Sequence, residues 1–344
     1  MSPRITPPRR FGVGRFGVAG AALVSAALVV SLAACSGQAS AENDGTSKGG
    51  VIVAAHTNGA GTQTTIQVDK VASIADELPD AVKSSGKLVI GVGALPAGFP
   101  PLAFTGDDQK TLTGSEPDLG RLVAAVLGLK PEVKNATWDN LFVGIDTGAT
   151  DVGFSNITDT EQRKEKYDFA SYRKDELAFT VLKKSTWEFD NDYENLAGKT
   201  VAVGSGTNQE KILLEWKSKL ESEGKTLTIK YYPDSNSTYL ALNSGKIDAN
   251  FGPNPGAAYQ NTQSASSANP TRTAGTYSGA GATIQGLIAA TVKKGSGLDK
   301  PIADAINYLI DHGQYAKWLK AYNLTNEGLP KSEINPPGLP LSNQ

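Results

Sequence analysis

Apolar and polar positions along this chain follow two periods that take turns. Lys87–Val92 is a short apolar run and reads as a buried strand. Ser115 and Asp118, three apart with Pro117 between them, form a capping box for a helix whose face is Leu119, Leu122, Val123 and Val126 and which Gly128 ends. A strand near 132–137 follows, then a helix with Trp138, Leu141, Phe142 and Ile145 on one side, stopped at Gly148. Asp151–Phe154 reads as another strand, which delivers the polar loop 155–158 to a charged, helix-like segment carrying Arg163. The second half repeats the theme, with strands expected at 200–203, 226–232 and 246–251 and a helix lined by Ile212, Leu213, Trp216 and Leu220. Gly245-Lys-Ile-Asp248 echoes Gly148-Ala-Thr-Asp151, each leading into a strand and a polar loop.

Strands alternating with helices predict a mostly parallel sheet covered by helices, with ligands near the carboxyl ends of the strands. Two similar α/β lobes account for the repeat, with 177–182 crossing from the first to the second and 287–292 crossing back. Helices near 301–312 and 315–322 close the first lobe, and a Pro-rich tail from Leu329 is expected to be irregular.

The loop before Arg163 carries candidate chemistry. Thr158 and Glu161 have capping-box spacing, which would leave backbone N–H groups at a helix start beside a guanidinium. That combination suits a carboxylate. The plainer reading is a solvated charge on a Lys/Glu-rich segment.

Composition narrows the class. With 344 residues, 39% hydrophobic and 20% charged, the chain is long enough for two domains and a sizeable core. The first 34 residues hold Arg4, Arg9, Arg10 and Arg15 and no acid, and an apolar run from about Phe16 ends at Leu32-Ala33-Ala34-Cys35. This is an export signal, and its end looks like a bacterial lipobox with Cys35 lipidated as the mature N-terminus; an uncleaved membrane helix is the alternative. Arg9-Arg10-Phe11 is faintly like a twin-arginine signal. Setting the four arginines aside leaves 29 Lys and Arg against 35 Asp and Glu. No basic cluster is present to neutralise phosphates, so nucleic acid is not an expected partner. His56 and His312 stand alone in the sequence and the single Cys is assigned to the anchor, so no metal site and no cofactor are expected. Gly204-Ser-Gly-Thr207 lacks the Gly-Lys-Ser/Thr ending of a phosphate loop, and Ser205 has no histidine partner for nucleophilic chemistry.

Seven motifs stand in a fixed order: Phe99-Pro-Pro-Leu-Ala-Phe104, Gly114-Ser-Glu-Pro-Asp-Leu119, Trp138-Asp-Asn-Leu141, Gly148-Ala-Thr-Asp-Val152, Thr160-Glu-Gln-Arg163 with Asp168-Phe169, Gly198 to Thr207, and Gly313-Gln-Tyr-Ala-Lys317. Behind a lipobox, they make the chain resemble the extracellular solute-binding proteins, family 3, of ABC importers, the type that binds polar amino acids. The similarity runs from about Lys87 to Leu324.

The resemblance implies a type II periplasmic-binding-protein-like α/β fold, two lobes joined by a two-strand hinge around a ligand cleft. It divides the chain into 1–35 signal peptide, 36–84 tether and N-terminal extension, 85–176 with 284–328 as lobe 1, 177–283 as lobe 2, and 329–344 as an irregular tail. It implies that Phe99 and Trp138 sandwich the ligand, that Asn156 and Thr158 hydrogen-bond it, that Arg163 holds its α-carboxylate, and that Thr207 and Asn208 meet it from the second lobe; Asn254 joins this set. On residues alone, Trp138 could equally be core, and Thr158, Thr207 and Asn208 could be helix caps. The implied function is capture of an amino acid or related small carboxylate and delivery to a membrane permease, by a lipid-anchored, monomeric, non-enzymatic protein outside the cytoplasm. A ligand-sensing lipoprotein and a dehydratase-like enzyme on the same fold are the alternatives.

The sequence departs from the family where the ligand's ammonium is usually met. Pro253 stands five residues after Asp248, where an Asp is usual, and Gly93 replaces a residue that is often acidic. Leaving a buried ammonium unpartnered costs about 2–5 kcal/mol, roughly thirtyfold to several thousandfold in affinity. Glu176 and Asp159 are the acids that could substitute.

Overall fold

The computed structural model describes residues 46–47 and 50–342. The export signal, the lipobox with Cys35 and most of the segment 36–49 lie outside the described residues. No helix among the described residues is long and apolar enough to cross a membrane.

The architecture turns on one strand of 16 residues, Tyr167–Leu182. Its first half pairs antiparallel with Gly286–Lys293, from Tyr167 opposite Lys293 to Asp175 opposite Gly286. Its second half pairs antiparallel with Ala249–Pro253 on one side and Thr271–Ser278 on the other. Each half then belongs to a small parallel sheet. In the first lobe Lys87–Val92 lies parallel to Lys130–Asn135 and to Val152–Gly153. In the second, Thr200–Ala202 lies parallel to Thr228–Lys230 and to Ala249–Pro253. The lobes are therefore parallel α/β units, as the alternation predicts, joined by antiparallel strands. The crossing lies near Asp175–Leu177 and in the loop 279–285, so 177–182 and 287–292, expected as the crossings, each lie inside one lobe.

Each lobe has its own core. The first gathers Leu88, Ile90, Leu119, Leu122, Val123, Phe154, Tyr172, Ile306 and Trp318. The second is aromatic: Phe179 stacks on Phe251 with centroids 4.2 Å apart, and Phe189 and Trp216 pack beside them. Helix Ser115–Leu127 is almost wholly buried and ends at Gly128, whose φ of 68° is left-handed. The expected capping box does not form. Gly114 is the N-cap, and the Asp118 carboxylate accepts from Ala54 N, Arg121 and Tyr322 instead. Burial of Asp118 explains the difference, because the nearest unpaired donors come from other segments rather than its own first turn.

The N-terminal segment differs from expectation, while the tail is irregular as expected. Within 36–70, expected to be a flexible tether with 51–55 as its one candidate strand, Gly50–Val53 and Thr64–Ile66 are paired strands whose Val51, Val53 and Ile66 are buried in the first core. So short a strand shows only one or two inward residues, too few for a periodic signal among Gly and Thr. The tail from Leu329 is irregular but fixed. Ser171 N donates to Glu333 O at 3.0 Å, Asn335 N to Phe169 O at 3.0 Å, and Leu339 N to Asp159 O at 3.1 Å. It runs along the first half of the long strand and ends with Leu339, 1% exposed, packed in the second lobe's core. A charged tail would leave that edge open to water; this one is Pro-rich and apolar at the position that is buried.

Removing a buried leucine side chain costs about 2–5 kcal/mol. Leu339→Ala should lower the unfolding free energy by that amount in urea titrations, and a change below about 0.5 kcal/mol, the size expected of an exposed residue, would show that the tail is not part of the core.

Candidate functional site

Between the lobes lies a cavity of about 580 Å³. The first lobe supplies the loop 93–99 after strand Lys87–Val92, the start of helix Trp138–Thr147, and Ser155 and Asn156 after strand Val152–Gly153. The second supplies the turn 203–208, the segment 232–239 and the strand residues 250–253. These are the carboxyl ends of the strands, where parallel sheets leave loop backbone free to meet a ligand.

Aromatic side chains fence the cleft. Phe99 reaches across to the second lobe, where its ring lies so close to Gly256 that a Cβ there would stand 2.3 Å from Phe99 Cζ. Only glycine allows that approach. On the far side Trp138 Nε1 donates to Gly206 O at 3.2 Å, and Arg163 Nη2 donates to the same carbonyl at 3.2 Å. Tyr232 and Tyr239 line the wall between.

The residues expected to hold the ligand are not all gathered here. Phe99, Trp138, Asn156, Thr207 and Asn208 line the cavity. Thr158 and Arg163 do not. Thr158 is 1% exposed and donates its hydroxyl to Asp175 Oδ2 at 2.7 Å, in place of capping a helix. No α-helix follows it; only a 3₁₀ turn, Arg163–Glu165, is present. Arg163 Nη1 donates to Thr158 O at 2.9 Å, and the guanidinium lies over the Trp138 and Phe142 rings at 5.4 and 5.3 Å. It faces a neighbouring cavity of about 690 Å³, which Trp138 and Asn208 also border. Burial lowers its pKa to about 10, opposed by Asp175, so it remains charged at neutral pH. Thr207 is a helix N-cap, accepting from Glu210 N at 3.2 Å. Asn208 Nδ2 donates to Asp175 Oδ2 at 3.1 Å and to Gly279 O at 2.9 Å. Asn254 points to Glu176, whose Oε2 accepts from Asn254 Nδ2 at 3.0 Å. Glu176 and Asp159, the acids considered for the ammonium, do not line the cavity; Asp159 lies beneath the tail.

Sequence reasoning missed the buried charges beneath the floor. Glu116 lines the cavity at 0% exposure and accepts from Asn156 N at 2.6 Å, from Arg173 Nη2 at 3.1 Å and from Tyr172. Arg173 also bonds Asn156 Oδ1 and pairs with Glu327 near the chain's end. Asn156 is held in a left-handed conformation, φ 52°, which Asn tolerates better than most residues. A charged residue in the middle of an apolar strand, Arg173 or Asp175 within 167–182, was the available signal.

The family model for bacterial extracellular solute-binding proteins, family 3, matches residues 90–325, more than half of the chain. The chain belongs to that family. The L-cystine-binding protein TcyJ of Escherichia coli K12 is 34% identical over 180 residues, 52% of this chain and 64% of that protein. The arginine-binding protein ArgT of Corynebacterium glutamicum is 32% identical over 194 residues, 56% of this chain and 62% of that protein. The chain thus spans somewhat under two thirds of the length of these relatives. An ancestral arginine-binding protein bound to arginine superposes with a TM-score of 0.59 at 26% identity, covering 69% of this chain and 98% of that one. The family member therefore has the two-lobed, type II periplasmic-binding-protein-like fold.

Two buried carboxyls at this junction make stability depend on pH. Burial raises Asp159 to about 7, with Lys164 opposing at 3.3 Å from Oδ1, and raises Asp175 to about 6, with the Thr158 hydroxyl opposing. Both gain proton affinity on folding, so their contribution is complete below their ordinary value of 3.8 and is lost as pH rises through about 6 and 7. Unfolding free energy should therefore fall between about pH 4 and pH 7, and Asp159→Asn should flatten the fall. An Asp159→Asn profile parallel to the wild type would remove Asp159 from this account.

Proposed function

We propose that this protein is the extracellular solute-binding component of an ABC importer, closing its lobes on a small organic solute and handing it unchanged to a membrane permease. The cleft between lobes that share one strand is the observation that carries this reading, since such a cleft can bury most of a small ligand and release it by rotation about the shared strand. The relatives' names, cystine-binding and arginine-binding, support a solute of the amino-acid class, taken as a free compound or a close derivative. Phe99 and Trp138 are its enclosing walls, Asn156 and Asn208 its polar contacts, and the protein acts as a monomer tethered by lipid on Cys35.

Chemical conversion is disfavoured because none of the three acids lining the cavity is a buried proton donor poised over a substrate: Glu116 is held by Arg173, Tyr172 and Asn156, Asp234 accepts from Ser237 N at 2.8 Å, and Asp139 is exposed to solvent.

Ligand present at a hundredfold over its Kd stabilises the folded state by about 2.7 kcal/mol, so a thermal-shift panel of amino acids, their derivatives and related amines should contain at least one clear stabiliser. Trp138→Ala should weaken that solute at least tenfold with the fold retained. A panel without a stabiliser, or a solute recovered chemically altered after incubation, would overturn the reading.

A further inference from the structure

The tail joins the two lobes. It is fixed to the first lobe from Ser332 on, where Asn307 Nδ2 donates to Ser332 O at 3.1 Å and Ser332 N donates to Asn307 Oδ1 at 2.8 Å. Glu333 and Asn335 then bond the backbone of Ser171 and Phe169 in the first half of the long strand. Beyond them Lys164 Nζ donates to Pro336 O, and Gly338 N donates to Glu161 Oε1 at 3.0 Å. Leu339 N donates to Asp159 O at 3.1 Å, and Glu161 N donates to Leu339 O at 3.0 Å. The loop that receives the tail is itself part of the first lobe, since Ala289 N donates to Ile157 O and Asp159 N to Leu287 O, both at 2.9 Å. Gly338 lies so close to this loop that a Cβ there would stand 2.5 Å from Asp159 O.

The Leu339 side chain goes the other way. It is buried in the second lobe's core, whose other buried members fall between Leu177 and Ala280. It also borders the cavity of about 690 Å³ beside Leu214 and Glu215 of helix Asn208–Ser222, so it sits at the margin of that core and can withdraw without parting the core's own residues. The chain that presents it is stiff, because Pro336, Pro337 and Pro340 each fix a φ angle around Gly338 and Leu339. The lobes touch in this structure, with Phe99 against Gly256 and Trp138 Nε1 donating to Gly206 O at 3.2 Å. Rotation that parts these contacts carries the second lobe away from the loop 157–161 and draws Leu339 into water, which the burial of an apolar side chain opposes.

We propose that the tail 332–339 is a strap across the hinge: held to the first lobe by its backbone and to the second by Leu339, it favours the closed arrangement of the lobes and so sets how firmly a solute is retained. This rests on the solute-binding reading above and adds a conformational control to it. The contacts at the midpoint of the long strand are polar and can be exchanged for water, whereas Leu339 buries apolar surface that only the closed arrangement covers.

The test is the distance between spin labels on Val143→Cys and Leu240→Cys, exposed positions on a helix of either lobe, in the full chain with Cys35→Ser so that only these thiols react. Without added solute, double electron–electron resonance should resolve a short and a long distance, and Leu339→Ala should lower the short-to-long ratio about tenfold. Gly338→Ala, which keeps the leucine and pushes the tail off Asp159, should lower it too, and decides alone if Leu339→Ala does not fold. Leu196→Ala, buried in the same core but within the second lobe, should destabilise the protein and leave the ratio unchanged. Three results would overturn the strap while leaving solute capture intact: a ratio unmoved by the tail variants, an equal fall in Leu196→Ala, or a chain that takes only the long distance until a panel solute is added. One distance throughout, unmoved by any member of the solute panel, would show lobes that do not rotate; the solute-binding reading then falls, and this inference falls with it.

Discussion

Backbone hydrogen bonding along one strand, Tyr167–Leu182, is shared by both lobes, and the rest of the molecule is arranged around that constraint. A strand of this length cannot slip by one residue without turning every buried side chain outward, so both sheets are fixed in register by it. Its first half lies in the core of Leu88, Ile90 and Trp318 and its second half in the core of Phe179 and Phe251. The two cores do not merge. What lies between them, at the strand's midpoint, is polar: Arg173, Asp175 and Glu176 on the strand, Thr158 and Asn208 from either lobe. The junction is thus held by directed hydrogen bonds instead of apolar packing, which leaves the lobes a path for rotation without opening either core.

Buried charge at such a junction is expensive unless paired. Arg173 meets this by bonding Glu116 from helix Ser115–Leu127, Glu327 from a turn near the end of the chain and Asn156 from the cavity floor. Four segments far apart in sequence are tied by one guanidinium, and burial is outweighed by the carboxylates around it, which raise its proton affinity. The same carboxylates leave the floor with more acid than base. This links the hinge to the cleft, because the groups that hold the lobes in register also set the charge that a solute meets.

Much of the fold was legible in the sequence. Alternating strand and helix periods predicted parallel α/β lobes, and the helix stops at Gly128 and Gly148 are left-handed glycines as their position suggested. Phe99 was legible as a loop aromatic, flanked by Gly98 and Pro100, and lines the cleft. Local reading failed where long-range partners took over. Ser115, Asp118, Thr158 and Glu161 have capping spacing, yet the Asp118 carboxylate bonds Ala54 N and Tyr322, the Thr158 hydroxyl bonds Asp175, and Glu161 accepts from Lys164 and Gly338 N. Burial decides these contacts, and burial is set by the tertiary fold. For Arg163 the charged segment argued for a solvated side chain, and a carboxylate role came from the expected helix start and the family resemblance; its guanidinium lies against Trp138, Phe142 and two carbonyls, a surrounding no local pattern encodes. The strand Thr64–Ile66 and the docking of the irregular tail were not legible because each buries only a few residues.

The central claim is that the cleft between the two lobes closes on a small solute. A crystal structure with the tightest-binding member of the solute panel tests this directly. The solute is predicted between Phe99, Trp138 and Tyr239, touched by residues of both lobes. A solute bound outside the cleft, with the cleft itself empty, would contradict it.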